Sequence, residues 1–67
     1  MMQRAVKELY IVHKLQQQAK DRAGRDRTGG ASHRGVTVVY YPRCRRFSWF
    51  DNSGAISKRE AVKQLER

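Results

Sequence analysis

Two short runs of β-branched and aromatic residues, 36–41 (VTVVYY) and 46–51 (RFSWFD), most strongly constrain what this chain can fold into. Such runs favour extended strands, and the four residues between them, 42–45 (PRCR), have the length of a common hairpin loop. Placing Tyr41 opposite Arg46 sets the register of the two strands. One face of the predicted hairpin then carries the best candidates for a core, which are Val36, Val38, Tyr40, Phe47 and Trp49.

The second face of this hairpin is mixed in character. It carries Thr37, Val39, Tyr41, Arg46, Ser48 and Phe50. Two strands alone are marginally stable, so at least one helix must cover the first face. One interpretation seats the N-terminal helix on the second face, because two faces then match two helices. The other interpretation leaves that face open for binding.

A turn and a helix follow the hairpin. Residues 51–54 (DNSG) are strong turn formers, whereas the two residues after them are too few to predict a third strand. Ser57 and Glu60 have the spacing of a capping box, in which the serine hydroxyl accepts a hydrogen bond from the glutamate amide. We therefore predict a capped helix over residues 57–67. Its inward-facing residues are expected to be Ala61, Val62 and Leu65.

The first 23 residues (1–23) predict one N-terminal helix. Alternating steps of three and four residues place a stripe along one side of it, made of Met2, Ala5, Leu9, Val12, Gln16, Ala19 and Ala23. Tyr10 and Ile11 lie off this stripe, so the helix is apolar on more than one side. It can lie on its own hairpin, or it can pair with a second copy as a short coiled coil and form a homodimer.

Residues 24–35 (GRDRTGGASHRG) predict a flexible linker, because they contain four glycines and no periodic apolar pattern. Its three arginines, Arg25, Arg27 and Arg34, can order on a phosphate backbone. Alternatively, the segment is a solvated connector. The predicted order is helix, linker, strand, strand, helix, which is an α+β fold in one small domain (1–67).

The charge of the chain indicates the kind of partner that it attracts. Fifteen Lys and Arg against six Asp and Glu give a net charge of +9, spread along all 67 residues. Such a field favours encounter with nucleic acid, anionic membranes or acidic protein surfaces. No apolar run is long enough to cross a membrane, no signal-peptide core is present, and the single cysteine suits a reducing compartment. We therefore expect a cytoplasmic protein that does not act at a membrane.

Chemistry-bearing residues do not form a catalytic pattern. Cys44 lies among arginines, a setting that favours thiol reactivity, but the sequence indicates no base or oxyanion site to act with it. His13 and His33 lack the spacing of metal ligands. We expect no enzymatic activity, no metal site and no cofactor. A core this small leaves marginal stability, which a partner would supplement.

Arginines and aromatic residues around the hairpin tip suggest two functions. Arg43, Arg45 and Arg46 can bind phosphates or guanine edges, while Tyr41 and Phe50 can stack on unpaired bases, so a nucleic-acid-binding protein (DNA or RNA) is the first hypothesis. The second is a small effector or inhibitor that docks on a host protein such as a nucleic-acid-processing enzyme. Its exposed anchors would be Tyr10, Tyr41 and Phe50.

The predicted hairpin at 36–51 and the capped helix at 57–67 resemble the sheet-plus-helix DNA-binding arms of phage integrases, whose sheet has three strands. In its small size and basic balance, the chain is also similar to accessory proteins of bacteriophages and other mobile elements. This resemblance implies a protein of phage or mobile-element type.

Overall fold

The computed structural model describes the backbone of residues 2–66 and the side chains of residues 10–66. Two helices flank four strands along the chain. In order, the elements are α1 (Met2–Arg22), β1 (Gly29–His33), β2 (Val36–Tyr41), β3 (Arg46–Asp51), β4 (Gly54–Ile56) and α2 (Lys58–Leu65). The α+β class is confirmed, and the sheet is larger than the predicted hairpin.

The four strands form one antiparallel sheet in the order β1-β2-β3-β4, so each strand pairs with its neighbour in sequence. Tyr41 pairs with Arg46, as predicted. The register of the other inward residues also agrees, with Tyr40 opposite Phe47 and Val38 opposite Trp49. Alternation along the two strands was therefore sufficient to predict their pairing.

The prediction of a linker over 24–35 is wrong for residues 29–33, which form β1 and pair with β2. Arg34 and Gly35 make the turn between the two strands, both with positive φ (54° and 82°), as a two-residue hairpin turn of this twist requires. The segment GGASH has little intrinsic strand preference. It is extended because β2 offers a free edge and α1 packs against it.

The short strand β4 extends the sheet beyond the predicted hairpin on the other side. Asp51 and Gly54 pair across the predicted turn, and the Ser53 amide donates to the Asp51 carboxylate Oδ1 at 2.8 Å. Gly54 has a φ of 123°, which disfavours residues with a Cβ. Three residues are enough for a strand here because β3 already provides the template.

Both helices pack on the same face of the sheet. The core cluster unites α1, α2 and the inward residues of three strands: Val12, Leu15, Ala19, Ala31, Val36, Val38, Trp49, Ala61 and Leu65. The interpretation that seats α1 on the second face is therefore wrong. A two-stranded hairpin has room for one helix on each face. Four strands spaced about 4.8 Å apart span about 14 Å, which accommodates two helices side by side.

The C-terminal end of α1 lies unusually close to β1. A Cβ atom added at Gly29 would lie 2.3 Å from the Ala23 amide nitrogen and 2.4 Å from the Ala19 carbonyl oxygen. Beside this contact, the Arg22 guanidinium donates to the Gly30 carbonyl oxygen at 2.9 Å. The helix end and the strand are thus fixed to each other by backbone contact as well as by side chains.

The capped helix α2 forms as predicted at its N-terminus. The Ser57 hydroxyl accepts a hydrogen bond from the Glu60 amide at 3.0 Å. Ala61 and Leu65 are buried and Val62 is half-buried, which confirms the predicted inward side. Near the other end of α2, the Gln64 side-chain amide donates to the Asp51 carboxylate at 2.8 Å and ties the helix to β3. Over residues 2–66, neither helix combines the length and apolar character that crossing a membrane requires.

Stability is expected to fall in acid through Asp51. Hydrogen bonds from the Gln64 side chain and then the Ser53 amide lower the pKa of this carboxyl below 3.8. Since its folded pKa is below its unfolded pKa, its contribution is present above the unfolded pKa and is lost as the pH falls through the lower, folded pKa. Urea unfolding midpoints measured between about pH 6 and pH 3 should show this decline. In Asp51→Asn the decline should be shallower, and an unchanged pH profile would contradict the assignment.

Candidate functional site

Two arginine-bearing segments that are distant in sequence meet at one end of the sheet. Because Gly29 pairs with Tyr40, the connector before β1 lies beside the β2–β3 loop at 42–45. The Arg43 Nε lies 3.3 Å from the Asp26 Oδ1, which joins the two segments directly. We call this region the basic end. Its cationic residues are Lys20, Arg22, Arg25, Arg27, Arg43, Arg45 and Arg46.

Charge is concentrated at the basic end. Residues 20–27 and 43–46 hold seven Lys and Arg against two Asp, a net charge of +5 out of +9 for the whole chain. These twelve residues thus carry more than half of the net charge. The predicted site arginines at 25, 27, 43, 45 and 46 are all exposed. Such a cluster attracts a polyanion more strongly than the same charges spread evenly would.

Arg34 is the predicted site arginine that the fold does not bring to the basic end. It lies in the turn between β1 and β2, at the opposite end of the sheet. The six residues of β2 separate the two ends by about 20 Å. Arg34 is therefore left out of the candidate site.

The ion pair between Arg43 and Asp26 is open to solvent. The two side chains are 80% and 66% exposed. Exposed pairs of this kind contribute on the order of 0–1 kcal/mol, because water screens the attraction and two long side chains must be ordered. A phosphate group can therefore compete with Asp26 for Arg43 at little energetic cost.

Arg45 has a left-handed backbone conformation at the hairpin tip, with a φ of 54°. For a residue with a Cβ, this conformation costs about 1 kcal/mol or more relative to its usual regions. Glycine or asparagine would fit the position with less strain. Arg34 has the same φ in the turn between β1 and β2, so the conformation at both positions follows from the geometry of the turns.

The second face of the hairpin continues onto β1 and β4 and is here called the outer face. Cross-strand pairing places its residues: Gly30, Ser32, Thr37, Val39, Tyr41, Arg46, Ser48, Phe50 and Ala55. Neither Val39 nor Phe50 belongs to the core cluster or to the side chains packed against it. Tyr41 is 36% exposed. Within residues 10–66, the helix side chains that belong to the core cluster pack on the opposite face of the sheet.

The three aromatic residues that were predicted as anchors are not brought together. Tyr41 and Phe50 share the outer face, whereas Tyr10 is on α1 and is 62% exposed. Around Tyr10 is a shallow groove lined also by Lys14 and His33, at the end of the sheet away from the basic end. A single contact surface therefore includes two of the three.

Sequence reasoning missed the contribution of α1 to the basic end. The Lys20 ammonium lies 5.9 Å from the centroid of the Tyr40 ring, and the Tyr40 and Phe47 rings are 4.8 Å apart. The ammonium thus extends the positive surface over the inner edge of the hairpin. The sequence did contain a signal for this contribution. Lys20 and Arg22 lie in the last turn of α1, which leads directly into the arginine-bearing connector.

Other chemistry is limited in the described part of the chain. Cys44 has a free, exposed thiol at the hairpin tip. Among residues 2–66, no three His, Cys, Asp or Glu side chains lie close enough together to hold a metal ion. No protein-family model, curated protein or solved structure matches this chain.

Proposed function

We propose that this protein binds nucleic acid without catalysing a reaction, and that the basic end holds the phosphates. The observation that carries the proposal is the meeting of two separate arginine-bearing segments, joined at Arg43 and Asp26. Five exposed arginines lie close together in the connector before β1, in the β2–β3 loop and at the first residue of β3. Guanidinium groups bind phosphate oxygens with paired, charge-assisted hydrogen bonds, which suits a sugar–phosphate backbone.

Salt dependence provides the direct test. Each neutralised phosphate releases about 0.7 to 0.9 of a counterion, so contacts from three to five arginines predict a log–log slope of roughly −2 to −5. Fluorescence anisotropy with labelled oligonucleotides, measured between about 50 and 200 mM salt, gives this slope. Absence of binding at the lowest salt concentration would remove the proposal.

Docking on a host protein is the second candidate function, and the open outer face favours it. Val39, Tyr41 and Phe50 form the apolar part of this face, and aromatic residues with arginine commonly dominate the energy of protein interfaces. An inhibitor of phage type would dock on an acidic or DNA-binding surface of a nucleic-acid-processing enzyme. A stoichiometric partner recovered from nuclease-treated bacterial lysate, and lost on mutation of Tyr41 or Phe50, would favour this function over the first.

A further inference from the structure

We infer that the outer face binds the unpaired bases of a single-stranded nucleic acid while the basic end holds its phosphates. This inference rests on the proposed function and names its ligand. Tyr41 and Phe50 are expected to stack on bases, and Arg46 links the rings to the basic end. Three properties of the outer face support a single-stranded nucleic acid as the ligand. They are its aromatic rings, its charge and the length of its side chains.

The two rings are set among small side chains. Phe50 lies between Thr37 and Ala55 across the sheet, and Tyr41 lies beside Arg46 at the basic end. Four residues along the strand and one strand spacing separate the rings by about 14 Å. This distance is too large for two adjacent stacked bases, so the rings would hold non-adjacent ones. Tyr41 is exposed and Phe50 is half-buried, so part of each ring is accessible above the sheet, as stacking requires.

Charge on the outer face matches a polyanion. No Asp or Glu belongs to the face, and Arg46 belongs to it. Asp51, which follows Phe50 in β3, accepts a hydrogen bond from the Gln64 side chain of α2. A strand whose phosphates lie at the basic end can therefore continue across the face without meeting a negative charge.

The lengths of the side chains favour a single strand over a duplex. Reading base edges in a groove relies mainly on arginine, lysine, asparagine and glutamine. On the outer face, Arg46 is the single residue of these four types, and the remaining polar residues are short Ser and Thr. A duplex also keeps its bases stacked on each other, so that their π faces are not available to the rings. Unpaired bases are.

The test measures the binding of a labelled oligothymidylate of about 12 nucleotides and of a hairpin duplex of similar length. The variants are Tyr41→Val and Phe50→Val, since valine preserves strand preference and removes the ring. Each variant should weaken single-strand binding by between about 5- and 150-fold while leaving the salt slope unchanged. Tyr10→Leu removes a more exposed ring that lies on α1, outside the outer face and at the end of the sheet away from the basic end, and it should leave the affinity unchanged. The wild type should bind the single strand more tightly than the duplex.

Amide spectra recorded by NMR would show whether each variant is folded. If a variant does not fold, ring-proton shifts of Tyr41 and Phe50 in the wild type replace it, because stacked bases move these resonances upfield. Absence of these shifts, unchanged affinity in the folded ring variants, or tighter binding of the duplex would each overturn the inference. In those cases a salt-dependent affinity would still support the proposed function. If the wild type binds neither probe, both fail.

Discussion

Gly29→Ala is expected to destabilise the protein by about 3 kcal/mol or more, because the new methyl group would meet backbone atoms that cannot move aside separately. The Cβ would lie 2.3 to 2.6 Å from three backbone atoms of α1, in Ala19, Arg22 and Ala23. To relieve this contact, the helix must separate from β1. A domain of this size has a total stability of roughly 3 to 10 kcal/mol, so much of the population should unfold.

Gly30→Ala is the matched control for this prediction. Its Cβ would lie 3.3 Å from the Val38 carbonyl oxygen and 3.8 Å from a Val39 methyl group, which is tight but tolerable. We expect an effect of about 1 kcal/mol or less. Thermal and urea unfolding followed by circular dichroism compare the two variants. Equal melting temperatures for both would mean that α1 does not pack on β1 as described.

Replacing Arg43, Arg45 and Arg46 together by glutamine is expected to reduce nucleic-acid affinity by roughly 100-fold or more at about 50 mM salt. The salt slope should decrease in magnitude by about 2 to 3, since three phosphate contacts are lost. Glutamine keeps the length and polarity of the side chains, and all three positions are exposed, so the fold should persist. Anisotropy at several salt concentrations measures both quantities.

The matched control removes three positive charges elsewhere, with Lys14 of α1 and Arg59 and Lys63 of α2 replaced by glutamine. These residues are exposed on helices that pack on the face opposite the outer face. Their loss should change the affinity much less, because none of them belongs to the basic end or to the outer face. If both triple variants lose affinity equally, net charge would account for the binding and the location of the site would be refuted.

Local patterns were sufficient to predict the centre of the fold. The alternation in 36–41 and 46–51 predicted the register of β2 and β3, and the spacing of Ser57 and Glu60 predicted the start of α2. In each case, the signal and the structure that it predicts lie within a few residues of each other. Tertiary contacts therefore did not change the local preferences of these segments.

The remaining parts of the fold depend on contacts that no local pattern reports. Residues 29–33 lack strand-forming side chains and are extended because β2 and α1 flank them. Once β1 widens the sheet, both helices fit on one face, and this reverses the expected position of α1. Misassigning one strand therefore also misplaced a helix, because the number of strands sets how many helices a face can hold.

The sequence identified which arginines could form the candidate site but did not predict that they lie close together. Arg25, Arg27 and the tip arginines were identified by composition, but their proximity follows from the start of β1 at Gly29. The same strand removes Arg34 to the other end of the sheet. Residue type indicates which side chains can bind a phosphate. Topology decides which of these side chains lie close enough together to bind the same phosphate.

The order of the strands also has a consequence for how the chain folds. Because every strand pairs with its neighbour in sequence, the sheet needs no long loop to close before its contacts form. Chains with such local contacts fold faster than those that join distant segments. The β2–β3 hairpin has the most favourable side chains and is a natural nucleus, to which β4 and β1 can add from either side. Pairing of β1 and docking of α1 would then come last and together, since each packs on the other at Gly29.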